Sequence, residues 1–199
     1  TVGDLKGGAN HIIISGSDMR GSNYIHYEWP AGGTGASDGT DGSNAVRSYN
    51  EGDFNSIQSV EMVEAQFPLR IERCEIRESA CGDGEFRGGF GLRRDVKILG
   101  QTGALSVLSE KNVIPPYGVE GGSNGAANSF TVIREGEVTQ PSPVPGKVSG
   151  FPLKMGDVVR EETAGGGGYG DPIKRNPQLV RADVAEEYLT VAEAAQRYG

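Results

Sequence analysis

TAGGGGYGDP, residues 163–172, decides how this chain is read. Gly165, Gly167 and Gly170 satisfy G-x-G-x-x-G, and the run follows DVVREE, residues 157–162, which reads as a strand. A dinucleotide fingerprint, however, needs its glycines at the turn into a helix whose N-terminus faces the pyrophosphate, inside a βαβ unit. Here Asp171-Pro172 follows, the next helix signal waits until Pro177, and no βαβ pattern lies upstream. A Walker loop fails as well, because Gly-Lys-Ser/Thr is absent. What remains is structural: Gly165, Gly166, Gly167, Gly168 and Gly170 form a flexible or tightly packed corner whose backbone meets another element. Exposed amides there could form an anion nest, a weaker use.

Outward from that run, glycine keeps its unusual weight, at 32 of 199 residues, with no collagen period. It comes in bursts (Gly32-Gly33, Gly88-Gly89, Gly121-Gly122) that separate strand-like segments. The strand signals fall at 11–15, 24–29, 69–77, 92–99, 104–109, 130–134 and 157–162. In LRIERCEIR, residues 69–77, the apolar phase slips by one at Glu72-Arg73, which predicts a β-bulge. Residues 56–66 carry Ile57, Val60 and Val63 at helical spacing, with Ser56 as cap and Phe67-Pro68 as stop. At the end, Asn176 caps a helix over 177–188 with Leu179, Val180, Val184 and Tyr188 on one side, and Thr190 with Glu193 makes a capping box for a last short helix. Successive strands without intervening helices predict an α+β chain of mostly antiparallel β structure, sandwich or barrel-like, with a short central helix and two C-terminal helices. Residues 1–175 form the β-rich region and 176–199 a helical tail packed on the same domain.

Composition excludes several classes. The net charge of −8, without a lysine/arginine stripe, argues against a nucleic-acid partner. Apolar runs such as Ile12–Ile14 are too short to cross a bilayer. Cys74 and Cys81, the only cysteines, lack C-x-x-C spacing and clustered histidines, so they read as reduced thiols rather than a zinc site. No metal set is expected in this chain. His11 and His26 read as packed or surface residues on strands.

No complete catalytic set is visible, and the catalytic residues stay unassigned. The polar loop AGGTGASDGTDGSN, residues 31–44, is long enough to be functional. Asp38 and Asp41, with Asn44, Glu51, Asp53 and Asn55 nearby, offer hard oxygen ligands or a general base. An EF-hand loop counted from Asp38 fails, because Tyr49 stands where the bidentate glutamate belongs. A solvated Asp/Gly turn is the plainer reading. An N-terminal threonine can be a nucleophile with its own amine as base, but a fragment boundary at Thr1 is the simpler explanation.

FPLRIERCEIRESACGDGEFRGGFGLRRDVKIL, then SVLSEKNVIPPYGVEGGSNGA, then GKVSGFPLKMGDVVREETAGGGGYGDP, preceded by YIHYEWPAGGTGASDGTDG, resembles the C-terminal part of the hydantoinase B/oxoprolinase family. The resemblance implies part of a B-type subunit of an ATP-dependent cyclic-amide hydrolase of the hydantoin, 5-oxoproline or lactam class. It implies ATP and a divalent metal ion bound outside this chain, an A-type ATP-binding partner subunit, the N-terminal part of the same B-type subunit, and a cytoplasmic location. ATP in such enzymes activates a poorly electrophilic oxygen. Related subunits belong to biotin-independent ketone carboxylases, and a non-catalytic assembly role is the other alternative. The chain alone is expected to be inactive. Residues 43–58, SNAVRSYNEGDFNSIQ, depart from the family's histidine/threonine-rich stretch, with Asn55-Ser56 in place of Asn-Thr-Pro, so cyclic amide and ketone both stay open. Asp38, Asp41, Arg47 and Asn55 are the pocket-lining candidates, with Arg47 able to fork onto a carboxylate or phosphate.

Overall fold

The structure is a computed structural model that describes residues 1–8, 10–46 and 58–199. Two open antiparallel sheets dominate it. The first has the order β2-β1-β5-β8, from β1 (His11–Ser17), β2 (Asn23–Glu28), β5 (Thr102–Leu108) and β8 (Lys147–Lys154). The second has the order β3-β4-β9-β6-β7, from β3 (Leu69–Ile76), β4 (Leu92–Ile98), β6 (Ser129–Arg134), β7 (Glu137–Thr139) and β9 (Val158–Glu162). Neither sheet closes on itself, so the arrangement is a sandwich and not a barrel.

Alternation builds the core. Ile12 and Ile14 of β1, Leu105 and Val107 of β5, Val96 and Ile98 of β4, Phe130 and Val132 of β6 and Val159 of β9 join one buried cluster. Each such side chain contributes about 1.5–3 kcal/mol by leaving water. The expected bulge is present, as a register shift between Ile71 and Arg73 against β4. It lets Leu69 stay buried while Cys74 and Glu75 turn outward.

Helix α1 (Val60–Gln66) differs from the expectation at its start. Ser59 is the cap, its hydroxyl accepting from the Met62 amide at 3.3 Å; the expected cap Ser56 lies outside the described residues. The stop at Phe67 is as read, and Val63 enters the core. Two strands carry no clear signal in the sequence. β8 contains Gly150 and Pro152, residues that suit the sheet edge where it lies, since a proline withholds a ladder donor. β7 is a three-residue exposed edge that returns from β6 through the left-handed pair Glu135-Gly136.

The glycine run is neither a turn nor exposed. Gly165–Gly168 keep ordinary negative φ and lie buried as an extended rod among other chain segments. A Cβ on Gly165 would fall 1.9 Å from the Ala80 oxygen, on Gly166 1.8 Å from that of Thr34, on Gly167 1.9 Å from that of Tyr117, and on Gly168 2.0 Å from that of Asp83. Positions 165 and 168 face the same 80–83 segment, the pattern of an extended chain with three residues per turn. Such a chain has no internal hydrogen bonds, so its polar groups must bond outward. The amides of Gly166, Gly167 and Gly168 donate to the carbonyls of Gly89, Asp4 and Ser123 at 2.8–3.0 Å, and their carbonyls accept from Gly82, Ala36 and Val119. Thr163, at the head of the rod, donates its hydroxyl to the Ala31 carbonyl at 2.6 Å and accepts from the Leu92 amide.

The C-terminal elements close over this bundle. A 3-10 turn (Pro172–Lys174) leads to α2 (Pro177–Ala185), capped by Asn176, and α3 (Val191–Tyr198), whose Thr190–Glu193 capping box is complete. Helix α2 ends three residues before the expected 188. The residue it buries is Asp183, not the apolar stripe, and Leu179 is exposed.

Gly166→Ala is expected to cost roughly 3 kcal/mol, because the new methyl meets fixed backbone on a buried rod. Gly136→Ala, where nothing lies within 4 Å and only the positive φ opposes it, should cost about 1 kcal/mol. Denaturant unfolding of the two variants checks this; equal, mild losses would contradict the rod.

Candidate functional site

The four pocket candidates do not converge among the described residues. Asp38 is exposed at the tip of a tight Asp38-Gly39 turn closed by mutual hydrogen bonds of Ser37 and Thr40. Arg47 and Asn55 lie outside the described residues, as do Glu51 and Asp53. Asp41 is engaged in an ion network with the C-terminal elements. Arg175 donates to both its oxygens at 2.7 and 2.8 Å, and the Arg87 amide donates to one of them at 2.9 Å. Arg175 also reaches Asp183 at 2.8 Å, and Asp183 in turn accepts from Arg87 Nε at 3.0 Å. Arg87 lies over the rings of Phe90 and Tyr188, at 5.0 and 5.3 Å. Burial alone would lower the Arg175 guanidinium; the bonds to Asp41 and Asp183 outweigh it and hold it above its ordinary value.

The glycine rod's geometry leaves its amides spoken for. Those of Gly166 to Gly168 each meet a backbone carbonyl, so they do not form a phosphate cradle. The rod therefore does not fit ATP phosphates. No three His, Cys, Asp or Glu side chains among the described residues are grouped to hold a metal ion. Cys81 is buried, and burial pushes its thiol up to about 12, which leaves it an inert packing residue; Cys74 is exposed and unpaired with it.

The most perturbed charges lie inside the sandwich. On β4 the inward row reads Leu92, Arg94, Val96, Ile98, and on β9 it reads Val159, Glu161. Arg94 and Glu161 are register partners, so both side chains enter the core side by side. From the opposite sheet β2 sends Tyr24, His26 and Glu28, with His26 and Glu28 beside Ile14 and Ile12 of β1. Arg94 Nη1 donates to Glu28 Oε1 at 2.5 Å, and Nη2 donates to the Gln58 carbonyl at 3.3 Å. His26 Nε2 lies 3.4 Å from Glu28 Oε2, and its ring packs 5.0 Å from that of Phe67. Burial pushes the Glu161 carboxyl up to about 8; the Glu28 and Asp95 charges add to the rise and Arg94 opposes it. Glu161 is thus a neutral acid at pH 7, able to donate a hydrogen bond.

Sequence reasoning treated His26 as a packed or surface residue and assigned Glu28, Arg94 and Glu161 no role. The signal was there: an arginine in the row L-R-V-I and a glutamate two residues after Val159 put charges at core positions.

Two outcomes follow from these groups. Glu161 has a folded value raised from the ordinary 4.5 to about 8, so between these the folded protein holds a proton the unfolded chain has released. Its contribution is full below the lower value and is lost as pH rises toward the upper, by up to ~1.4 kcal/mol per pH unit. Unfolding midpoints measured from about pH 5 to about pH 8 should fall for the wild type and flatten for Glu161→Gln. Asp183→Ala should cost about 3–5 kcal/mol by leaving the buried Arg87 guanidinium without its side-chain carboxylate and taking from Arg175 one of its two, and Asp183→Asn less; a loss near zero in thermal unfolding would contradict the network.

The description "Hydantoinase B/oxoprolinase" is that of the family model matching residues 2–172. The B component of a putative D-/L-hydantoinase from Pseudomonas sp. strain NS671 is 29% identical over 194 residues, 97% of this chain and 32% of that protein. The crystal structure of the ATP-dependent caprolactamase of Pseudomonas jessenii superposes with a TM-score of 0.80 at 22% identity, over all of this chain and 35% of that one. Nucleotide-free acetone carboxylase, an enzyme of ATP-dependent acetone carboxylation, superposes with a TM-score of 0.77 at 19% identity, over 98% of this chain and 30% of that one. The chain spans about a third of the length of each of these three proteins. On its sequence, across the glycine rod and both sheets, the chain belongs to the hydantoinase B/oxoprolinase family.

Proposed function

We propose that the chain is part of the B-type subunit of an ATP-dependent cyclic-amide hydrolase, acting on a hydantoin, 5-oxoproline or lactam with an A-type ATP-binding partner. The observation that carries this reading is the match to the B component of a hydantoinase along 97% of the chain. The fold shared with caprolactamase agrees with it. In this reading ATP and the divalent metal ion sit outside this chain. A cytoplasmic location accompanies the proposal; no described helix is long and apolar enough to cross a membrane.

The described residues then serve as a rigid wall. Asp38, Asp41, Arg47 and Asn55 belong to the segment proposed to line the substrate pocket. Asp41 acts there as a positioning residue, because Arg175 holds both its oxygens and so fixes where the loop leaves the bundle. Arg47 offers a fork for a substrate carboxylate or phosphate. A second reading, the ketone carboxylase branch, draws on the fold shared with acetone carboxylase.

The test is ADP release by the full-length B-type chain co-purified with its A-type partner. Hydantoin, 5-oxoproline or a lactam should each be offered without bicarbonate, and a ketone with it. Turnover with an amide supports the hydrolase; turnover only with ketone and bicarbonate supports the carboxylase and overturns the first reading. Arg47→Ala should raise KM more than it lowers kcat if the fork binds substrate.

A further inference from the structure

We propose that His26, Glu28, Arg94 and Glu161 enclose an internal water site. The side chains come from β2 on one sheet and from β4 and β9 on the other, and they meet across the sandwich. All four are almost wholly buried. Yet both His26 nitrogens, Glu28 Oε2, Arg94 Nε and both Glu161 oxygens have no hydrogen-bond partner among the described residues. Native interiors do not leave so many polar atoms unmet in one place; ordered water is the usual partner.

The inventory selects the ligand. Arg94 Nε, one imidazole N–H and a protonated Glu161 donate. Glu28 Oε2, the other imidazole nitrogen and the Glu161 carbonyl oxygen accept. Donors and acceptors are thus mixed on the same walls. A bound anion would face Glu28, whose charge Arg94 already balances at 2.5 Å. A bound cation would face Arg94. An apolar guest would leave every one of these atoms unpaired. Water, which both donates and accepts, answers the set.

The surroundings close the account of charge. From β4 the site meets Arg94, while Asp95 points to the opposite face and is clamped by Arg93 and Arg160. From β6 the register partner of Glu161 is Phe130, and from β1 the neighbours of Glu28 and His26 are Ile12 and Ile14, all apolar. Arg94 is therefore the one cation directed into the site from these strands, and it is committed to Glu28. Burial and the Glu28 charge outweigh the pull of Arg94 on the Glu161 carboxyl, which is why it favours its protonated form. Water touching both Glu161 and His26 gives that proton a path between them.

Two measurements on the full-length B-type chain in its complex test this. A high-resolution crystal structure should show ordered water within hydrogen-bond distance of Glu161 and of Arg94 Nε. A dry interior, or direct side-chain bonds satisfying both, overturns the proposal. Infrared difference spectra between wild type and Glu161→Gln at pH 7 should contain the C=O stretch of a protonated carboxyl, shifted in heavy water. Its absence overturns the proposal. Should Glu161→Gln not fold, the wild-type band followed from about pH 6 to about pH 10 serves instead: loss of a buried carboxyl band across that range supports the site, and no band at any pH sinks it.

Discussion

The contact on which the structure depends is backbone against backbone: the α-carbons of Gly165 to Gly168 lie where no side chain fits, each against a carbonyl from another segment. Through those contacts the rod gathers residues 3–4, 33–36, 80–89 and 117–125 into one hydrogen-bonded bundle. It is also a continuation of β9, so the bundle and the sandwich share a strand. Thr163 makes the joint rigid, with one hydroxyl bonded to the segment after β2 and to the start of β4. At the far end the rod delivers Asp171 as the cap of the 3-10 turn and Arg175 to the ion network that seats the terminal helices.

Two groups of buried charge follow from this arrangement, and they do different work. Asp41, Arg87, Arg175 and Asp183 pair in good geometry, so the cost of taking them out of water is offset and the helices are fixed in one position. In the sandwich, by contrast, Arg94 pairs with Glu28, and Glu161 forms no ion pair of its own among the described residues. Its response is to keep a proton. One set of charges specifies a docking geometry, and the other stores a titratable group where the apolar core ends.

Much of the fold could be read from local chemistry. The phase slip in LRIERCEIR marked the bulge, and Thr190 with Glu193 marked the last helix, because each is decided within a few residues. Strand β8 escaped notice because Gly150 and Pro152 are poor strand formers that only an edge position tolerates. The glycine run was read as a corner, since a single sequence does not show that four neighbours crowd an extended chain. The interior charges were missed for a narrower reason. Strands were recognised, but their faces were not assigned, and Arg94 and Glu161 stand out only when every second residue is followed inward. Asp41 drew attention as a loop acid, while its partner Arg175 lies 134 residues away, beyond any local pattern.

The rod separates order from regularity. Any tally of helix and strand counts residues 163–168 as irregular, and a spectroscopic measure of secondary structure would do the same. The amides of Thr163, Gly166, Gly167 and Gly168 are nonetheless held by carbonyls from distant parts of the chain. Opening any one of them requires several segments to part together, so exchange with solvent there reports the global stability of the domain and not the fraying of a loop. A stretch without helix or strand is thus expected to be among the slowest of the described residues to open.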